Sequence, residues 1–165
     1  MLDDVPSTSF ADRVEVGRVA EDAIIVEFLS AGWSILPAGV SRPNSPPPRL
    51  LTPQGEVRPV DLLAWHPDGR TVFVVEAKGK KPLIYLDGWG MDRSEDGADP
   101  WRELQRHDQR AGPVLVVCHD PDEGVAYAAT VRMLAANGGP NVTRNGRYWW
   151  WPRERFMPLS EFLKL

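Results

Sequence analysis

The sequence predicts a single α/β domain in which helices flank a mixed sheet, and three observations point there. A proline-free amphipathic stretch lies near the start, two β-rich runs follow around a Pro-Asp-Gly turn, and a helix-like segment then leads into the apolar run PVLVVCH. Alternation of this kind, with apolar faces on both helix and strand patterns, builds helices packed on a sheet. The 165 residues suffice for one domain with its own core. The expected unit is therefore 1–165, with the core over about 10–119 and a C-terminal extension over 120–165.

Each element has its own signal. Residues 10–31 read as helix, with Ser9 as N-cap, acids near the start, no proline from Ala11 to Leu36, and Gly32 as the stop. WSILP follows as a short strand. SRPNSPPPRL is too rich in proline for anything but irregular chain. Residues 59–78 form a hairpin around Asp68-Gly69, and PLIYLDGWGMDRSEDGAD reads as a long polar, glycine-bearing loop. Residues 100–111 are helical, with Pro100 at the first turn and Gly112 beyond the end. PVLVVCH is a buried strand, AYAATVRMLAAN a strand passing into a helix, NVTRNGRYWWW a hairpin around Asn145-Gly146, and PLSEFLKL a short closing helix.

Composition narrows the function. A formal charge of -4 argues against a protein that coats nucleic acid by charge alone, while leaving room for local basic faces. His66, His107 and His119 stand singly, without zinc-ligand spacing. The single cysteine, Cys118, ends an apolar run and reads as a small buried hydrophobe of a reducing compartment. Cys118 and His119 would point to opposite faces of a strand, a poor geometry for a nucleophile and its base. MLDDVPSTSF lacks the basic and apolar regions of a secretory signal, and no apolar run approaches a bilayer span. The expectation is a cytoplasmic protein without membrane contact.

The hairpin raises a chemical question, because the strand TVFVV runs straight into Glu-Ala-Lys. With Asp68 and Gly69 at the centre of the turn, Trp65 opposes Val72, Leu63 opposes Val74, and Asp61 falls opposite Glu76. A four-residue loop from Pro67 to Arg70 keeps that register, whereas a bulge shifts it by one. Lys78 lies on the same face, two residues on. Two like charges facing each other across a ladder destabilise it unless something neutralises them. A divalent cation with hard oxygen ligands does this, and magnesium often uses only one or two carboxylates. Asp61, Glu76, Lys78 and Mg²⁺ (or Mn²⁺) are thus the candidate site.

The pattern Pro59-Val60-Asp61 followed by Glu76-Ala77-Lys78 resembles the PD-(D/E)XK nuclease superfamily, with one extra residue between the proline and the aspartate. Archaeal Holliday junction resolvases and small phage nucleases are similar to it in carrying a Gly-Xaa-Xaa-Xaa-Glu in the first helix, here 17-GRVAE-21. The resemblance implies a restriction-endonuclease-like core of order αβββαβ, followed here by a hairpin and short helix. It implies Asp61 and Glu76 as metal ligands, Glu21 as a further ligand directly or through water, and Lys78 as the residue that orients the attacking water. It also implies hydrolysis of DNA, double-stranded or branched, to 5′-phosphate and 3′-hydroxyl ends; junction resolvases work as homodimers. On a helical projection Gly17, Glu21, Ile24, Ile25 and Phe28 share a stripe, so Glu21 faces the sheet. Glu15 and Glu27 fall off it and read as solvated.

For DNA contact, Arg102, Arg106 and Arg110 repeat every four residues along one helix face, with Gln105 and Gln109 beside them. Gln105, Arg106 and His107 are candidates to reach the site. Lys80 and Lys81 follow the site strand and suit flanking phosphates. Arg144, Arg147, Arg153 and Arg155 surround Tyr148-Trp149-Trp150-Trp151, where aromatics either stack bases or pack the core; packing is expected for at least two of the three tryptophans. The alternative to an endonuclease is a catalytically silent nuclease-like fold that binds nucleic acid or protein.

Overall fold

A computed structural model describes residues 10–38, 50–57, 61–79, 87–93 and 99–165. In chain order these form α1 (Phe10–Ser30), β1 (Ser34–Pro37), β2 (Leu50–Thr52), β3 (Gly55–Val57), β4 (Leu62–Trp65), β5 (Val72–Gly79) and β6 (Gly88–Asp92). Then follow α2 (Pro100–Arg110), β7 (Val114–Asp120), β8 (Val125–Thr130), α3 (Val131–Ala135), β9 (Asn141–Val142), β10 (Tyr148–Pro152), a 3₁₀ turn (Arg153–Arg155), β11 (Met157–Pro158) and α4 (Leu159–Phe162). The central sheet has six strands in the order β1-β4-β5-β7-β8-β11. It is mixed, because β5 and β7 run parallel while the other neighbours are antiparallel. A smaller sheet, β6-β10-β9, is not part of its hydrogen-bonded ladder and packs against one of its faces.

Local chemistry accounts for the boundaries. At the end of α1, Gly32 takes φ +84, its N–H donates to the Leu29 carbonyl, and the Trp33 N–H donates to the Phe28 carbonyl. This is a Schellman stop, and its usual apolar contact is present as Trp33 set edge-on to Phe28 at 5.4 Å. Helix α2 starts at Asp99, whose carboxylate accepts the Trp101 and Arg102 N–H groups, with Pro100 in the first turn.

Strand alternation divides the core into two layers. On one face Leu62, Ala64, Val75, Leu115 and Val117 pack against Ile24 and Phe28 of α1 and Leu159 and Phe162 of α4. On the other, Val74, Val114, Val116 and Cys118 meet Trp101 and Leu104 of α2, together with Trp89, Met91 and Trp151 of the small sheet. Each fully buried aliphatic or aromatic side chain here contributes about 1.5–3 kcal/mol through removal from water. Cys118 is buried as expected.

Several expectations change. The stretch read as a polar loop after Lys81 contains β6, in which Trp89 and Met91 are 2% and 5% exposed. The N-terminal stripe is centred on Ala20, Ile24 and Phe28, with Gly17, Glu21 and Ile25 half-buried on its flank. Glu15 is exposed and pairs with Arg18 at 3.1 Å, as a solvated residue should. Glu27 is half-buried rather than exposed: burial raises its pKa, opposed by the nearby His119 and the Ala126 N–H. Residues 50–57 add a hairpin that the sequence reading did not anticipate. Ser9 and most of SRPNSPPPRL lie outside the described residues. No described helix is long and apolar enough to cross a membrane.

Candidate active site

The β4–β5 hairpin sets the site. Leu62 pairs with Val75, Leu63 with Val74, Ala64 with Phe73 and Trp65 with Val72, and Asp61 and Glu76 are the next residues beyond the last of these pairs. The turn itself is His66 to Gly69, closed by the Gly69 N–H donating to the His66 carbonyl at 2.9 Å. Its central pair is therefore Pro67-Asp68, one position earlier than expected, with Gly69 left-handed at φ +68. The loop keeps the register because it is the bulge-free four-residue form, joined at the His66 N–H to Thr71 carbonyl bond. Asp68 fastens it: its carboxylate accepts N–H bonds from Arg70 and Thr71 and the Thr71 hydroxyl. Those donors hold the acid down at about 2.

Asp61 stands one residue before β4. Its carbonyl accepts the Ala38 N–H at 2.8 Å, which anchors the backbone to the end of β1. Its Oδ2 accepts the Ala77 N–H at 2.7 Å, a main-chain donor just past the last β4–β5 pair. The carboxyl is pushed up to about 6, first by burial and then by Glu76, with Lys78 and the Ala77 N–H opposing. Glu76 is 8% exposed, a charged group inside the sheet. The Lys78 Nζ meets its Oε1 at 2.5 Å. Asp61, Glu76 and Lys78 therefore form one cluster at the end of the β4–β5 ladder.

The other expected residues distribute unevenly. Glu21 lies close enough to the cluster that Lys78 lowers and Glu76 raises its pKa, although burial and Asp22 are the larger causes of its net rise. Among the described residues no three acids, histidines or cysteines converge as a ready-made ligand set, so Glu21 flanks the pair rather than closing on it. Gly17 has open space beside its α-carbon. Arg102 is exposed and pairs with Asp99 at 3.5 Å, and Arg106 with Glu103, so two of the three arginines of that basic stripe are engaged at their own helix. Gln105 is half-buried. Lys80 and Lys81 lie outside the described residues. Trp151 is buried, with its indole N–H donating to the Leu134 carbonyl, and Trp149 packs on the core with its N–H on Asp99. Packing thus accounts for two of the three tryptophans.

From α2 the residue that turns toward the sheet is His107, 3% exposed. Burial lowers its pKa, opposed by its own carbonyl and by the charges of Glu76 and Asp108. Its spacing with Trp101 and Leu104 on the apolar face of α2 is the signal that singles it out from Gln105 and Arg106.

The donor set fits a divalent cation. Both acids offer hard oxygens, and the burial and Glu76 charge that raise the Asp61 pKa are a cost that a bound cation would relieve.

A mixed α/β domain with two carboxylates and a lysine at one sheet end is the class that fold and site define. No family model matches the chain, and no curated protein matches it. Among solved structures it is similar to a bacterial homing endonuclease, I-Ssp6803I, at 14% identity and a TM-score of 0.46, over 88% of this chain and 76% of that one. The likeness is too slight to define a shared fold, and the functional reading rests on the side chains.

Proposed function

We propose that the protein is a Mg²⁺- or Mn²⁺-dependent DNA endonuclease of the PD-(D/E)XK kind. The observation that carries this reading is the cluster at the end of the β4–β5 ladder, with Asp61 bonded to the Ala77 N–H and the Lys78 ammonium on the Glu76 carboxylate. The order α1, antiparallel β1, β4 and β5, α2 and parallel β7, with the β2–β3 hairpin and β6 inserted, supports it. Asp61 and Glu76 would hold the ion, with Glu21 as a further ligand directly or through water. When bound, the ion supplies charge stabilisation to the phosphate and lowers the pKa of a water. Asp61 is fixed for this by its Ala77 hydrogen bond, so its second oxygen is presented without rotamer search. Lys78 leaves Glu76 for the phosphate, offsets the charge that develops there, and orients the water. Arg102 and Arg106 would contact flanking phosphates by exchanging their intrahelical partners. Branched DNA and a homodimer remain part of this proposal.

A second reading, a nuclease-like fold used only for binding, is favoured by one observation: Lys78 already neutralises Glu76 without an ion. Cleavage of plasmid and four-way-junction DNA with Mg²⁺ or Mn²⁺ separates the two. The endonuclease nicks DNA only with metal, and Lys78→Ala and Asp61→Ala each lose at least about a hundredfold in rate. Equal activity in all three proteins, or none in the wild type, contradicts the enzyme.

A further inference from the structure

Beside the acid pair lies a cavity of about 550 Å³, between the β4–β5 hairpin and the C-terminal end of α2. Its walls include Leu63, Val72, Val74 and Pro113, with His107 also lining it and Arg70 at its exposed margin. Leu63 and Val74 oppose each other two residues along their strands from Asp61 and Glu76. Residues two apart on a strand share a face and stand roughly 7 Å apart. The cavity is therefore the next step along the same sheet face, about one nucleotide from the cluster.

Its chemistry is selective. The walls are largely apolar and suit a flat ring. His107 is a polar side chain in the wall, 3% exposed, and an imidazole there suits an occupant with polar edges over a purely aliphatic one. The Arg70 guanidinium at the margin suits a phosphate attached to whatever enters. Volumes of this order are those of small-molecule sites, ample for one nucleoside and too small for a stacked pair of strands.

Resting on the nuclease reading above, we propose that this cavity receives one base of the strand being cut, turned out of its stack beside the scissile phosphate. The preferred substrate is then DNA whose bases unstack cheaply next to the cut, at junctions, mismatches or single-stranded ends, because extrusion from intact duplex costs a few kcal/mol. His107 acts as a positioning residue that engages the base edge.

The test compares DNA that carries either a normal nucleotide or an abasic analogue at each position flanking the mapped cut. Wild type cuts the abasic DNA about tenfold more slowly at one flanking position, where the base contact is lost. Ala111→Trp, an exposed lining residue whose replacement fills the cavity mouth, cuts the normal DNA at that reduced rate and loses nothing further on the abasic DNA. Equal wild-type rates on normal and abasic DNA overturn the proposal without any variant. So does an Ala111→Trp protein that cuts both DNAs at the wild-type rate or slows on both alike. Absence of metal-dependent cleavage by wild type on every DNA is the separate result that removes the nuclease reading and this proposal with it.

Discussion

Asp61 is held where its charge is costly. Burial and Glu76 together raise its pKa to about 6, above the ordinary 3.8, so the folded protein binds that proton more tightly than the unfolded chain does. Stability from this group is full below about pH 4 and is lost as pH rises through about 6, a change on the order of 3 kcal/mol. Asp61→Asn keeps an oxygen for the Ala77 N–H and removes the charge. We therefore expect its metal-free melting temperature at pH 8 to exceed wild type by roughly 3–8 °C, with the gap closing near pH 4. Thermal melts at the two pH values check this, and an unchanged or lower value at pH 8 contradicts it. Such a cost is typical of a site held ready for a ligand. The acid pair was legible in the sequence because a hairpin of fixed loop length converts spacing directly into register. Glu27 was misread because periodicity places a residue on a helix face without showing that β8 and His119 rise to meet that face. His107 was readable only as one of three neighbours until the buried side of α2 selected it.

At the scale of elements, β6 shows where local signals fail. Gly88-Trp89-Gly90-Met91-Asp92 has the glycines and polar flanks of a loop, yet it pairs with β10, some 60 residues on: Gly88 with Pro152, Trp89 with Trp151 and Met91 with Trp149. Gly88 is required by that pairing, since a methyl group there would sit 2.0 Å from the Trp151 carbonyl oxygen and 2.9 Å from its carbon. Both are backbone atoms and cannot swing aside. Gly88→Ala should therefore cost about 2–3 kcal/mol, read as a lower denaturation midpoint with an accompanying change in tryptophan fluorescence from Trp89 and Trp151. A wild-type midpoint contradicts the close approach. The elements predicted well, α1, α2, β7 and the β4–β5 hairpin, are those whose caps, turns and apolar patterns are local. The β6–β10 pairing depends on contacts between distant segments, which periodicity does not encode.

Across the whole molecule the two sheets share one core layer, and Arg153 links their margins. Its guanidinium binds Glu123 and the Tyr127 hydroxyl, each at 2.6 Å, and lies over the Tyr127 and Trp89 rings. Its N–H donates to the Asp87 carbonyl at the start of β6. Asp61, Glu76 and Lys78 gather toward the same end of the strands, since Lys78 pairs with Cys118 of β7 and Cys118 with Tyr127 of β8. The fold class could be read from the order of apolar runs, but the separate small sheet could not. If Asp61 and Glu76 hold a cation as proposed, a crystal soaked in Mn²⁺ shows an anomalous-scattering peak between them, about 2.0–2.3 Å from one carboxylate oxygen of each, with the Lys78 ammonium moved off Glu76. A saturating soak with no peak there, and Lys78 still closed on Glu76, would contradict that proposal.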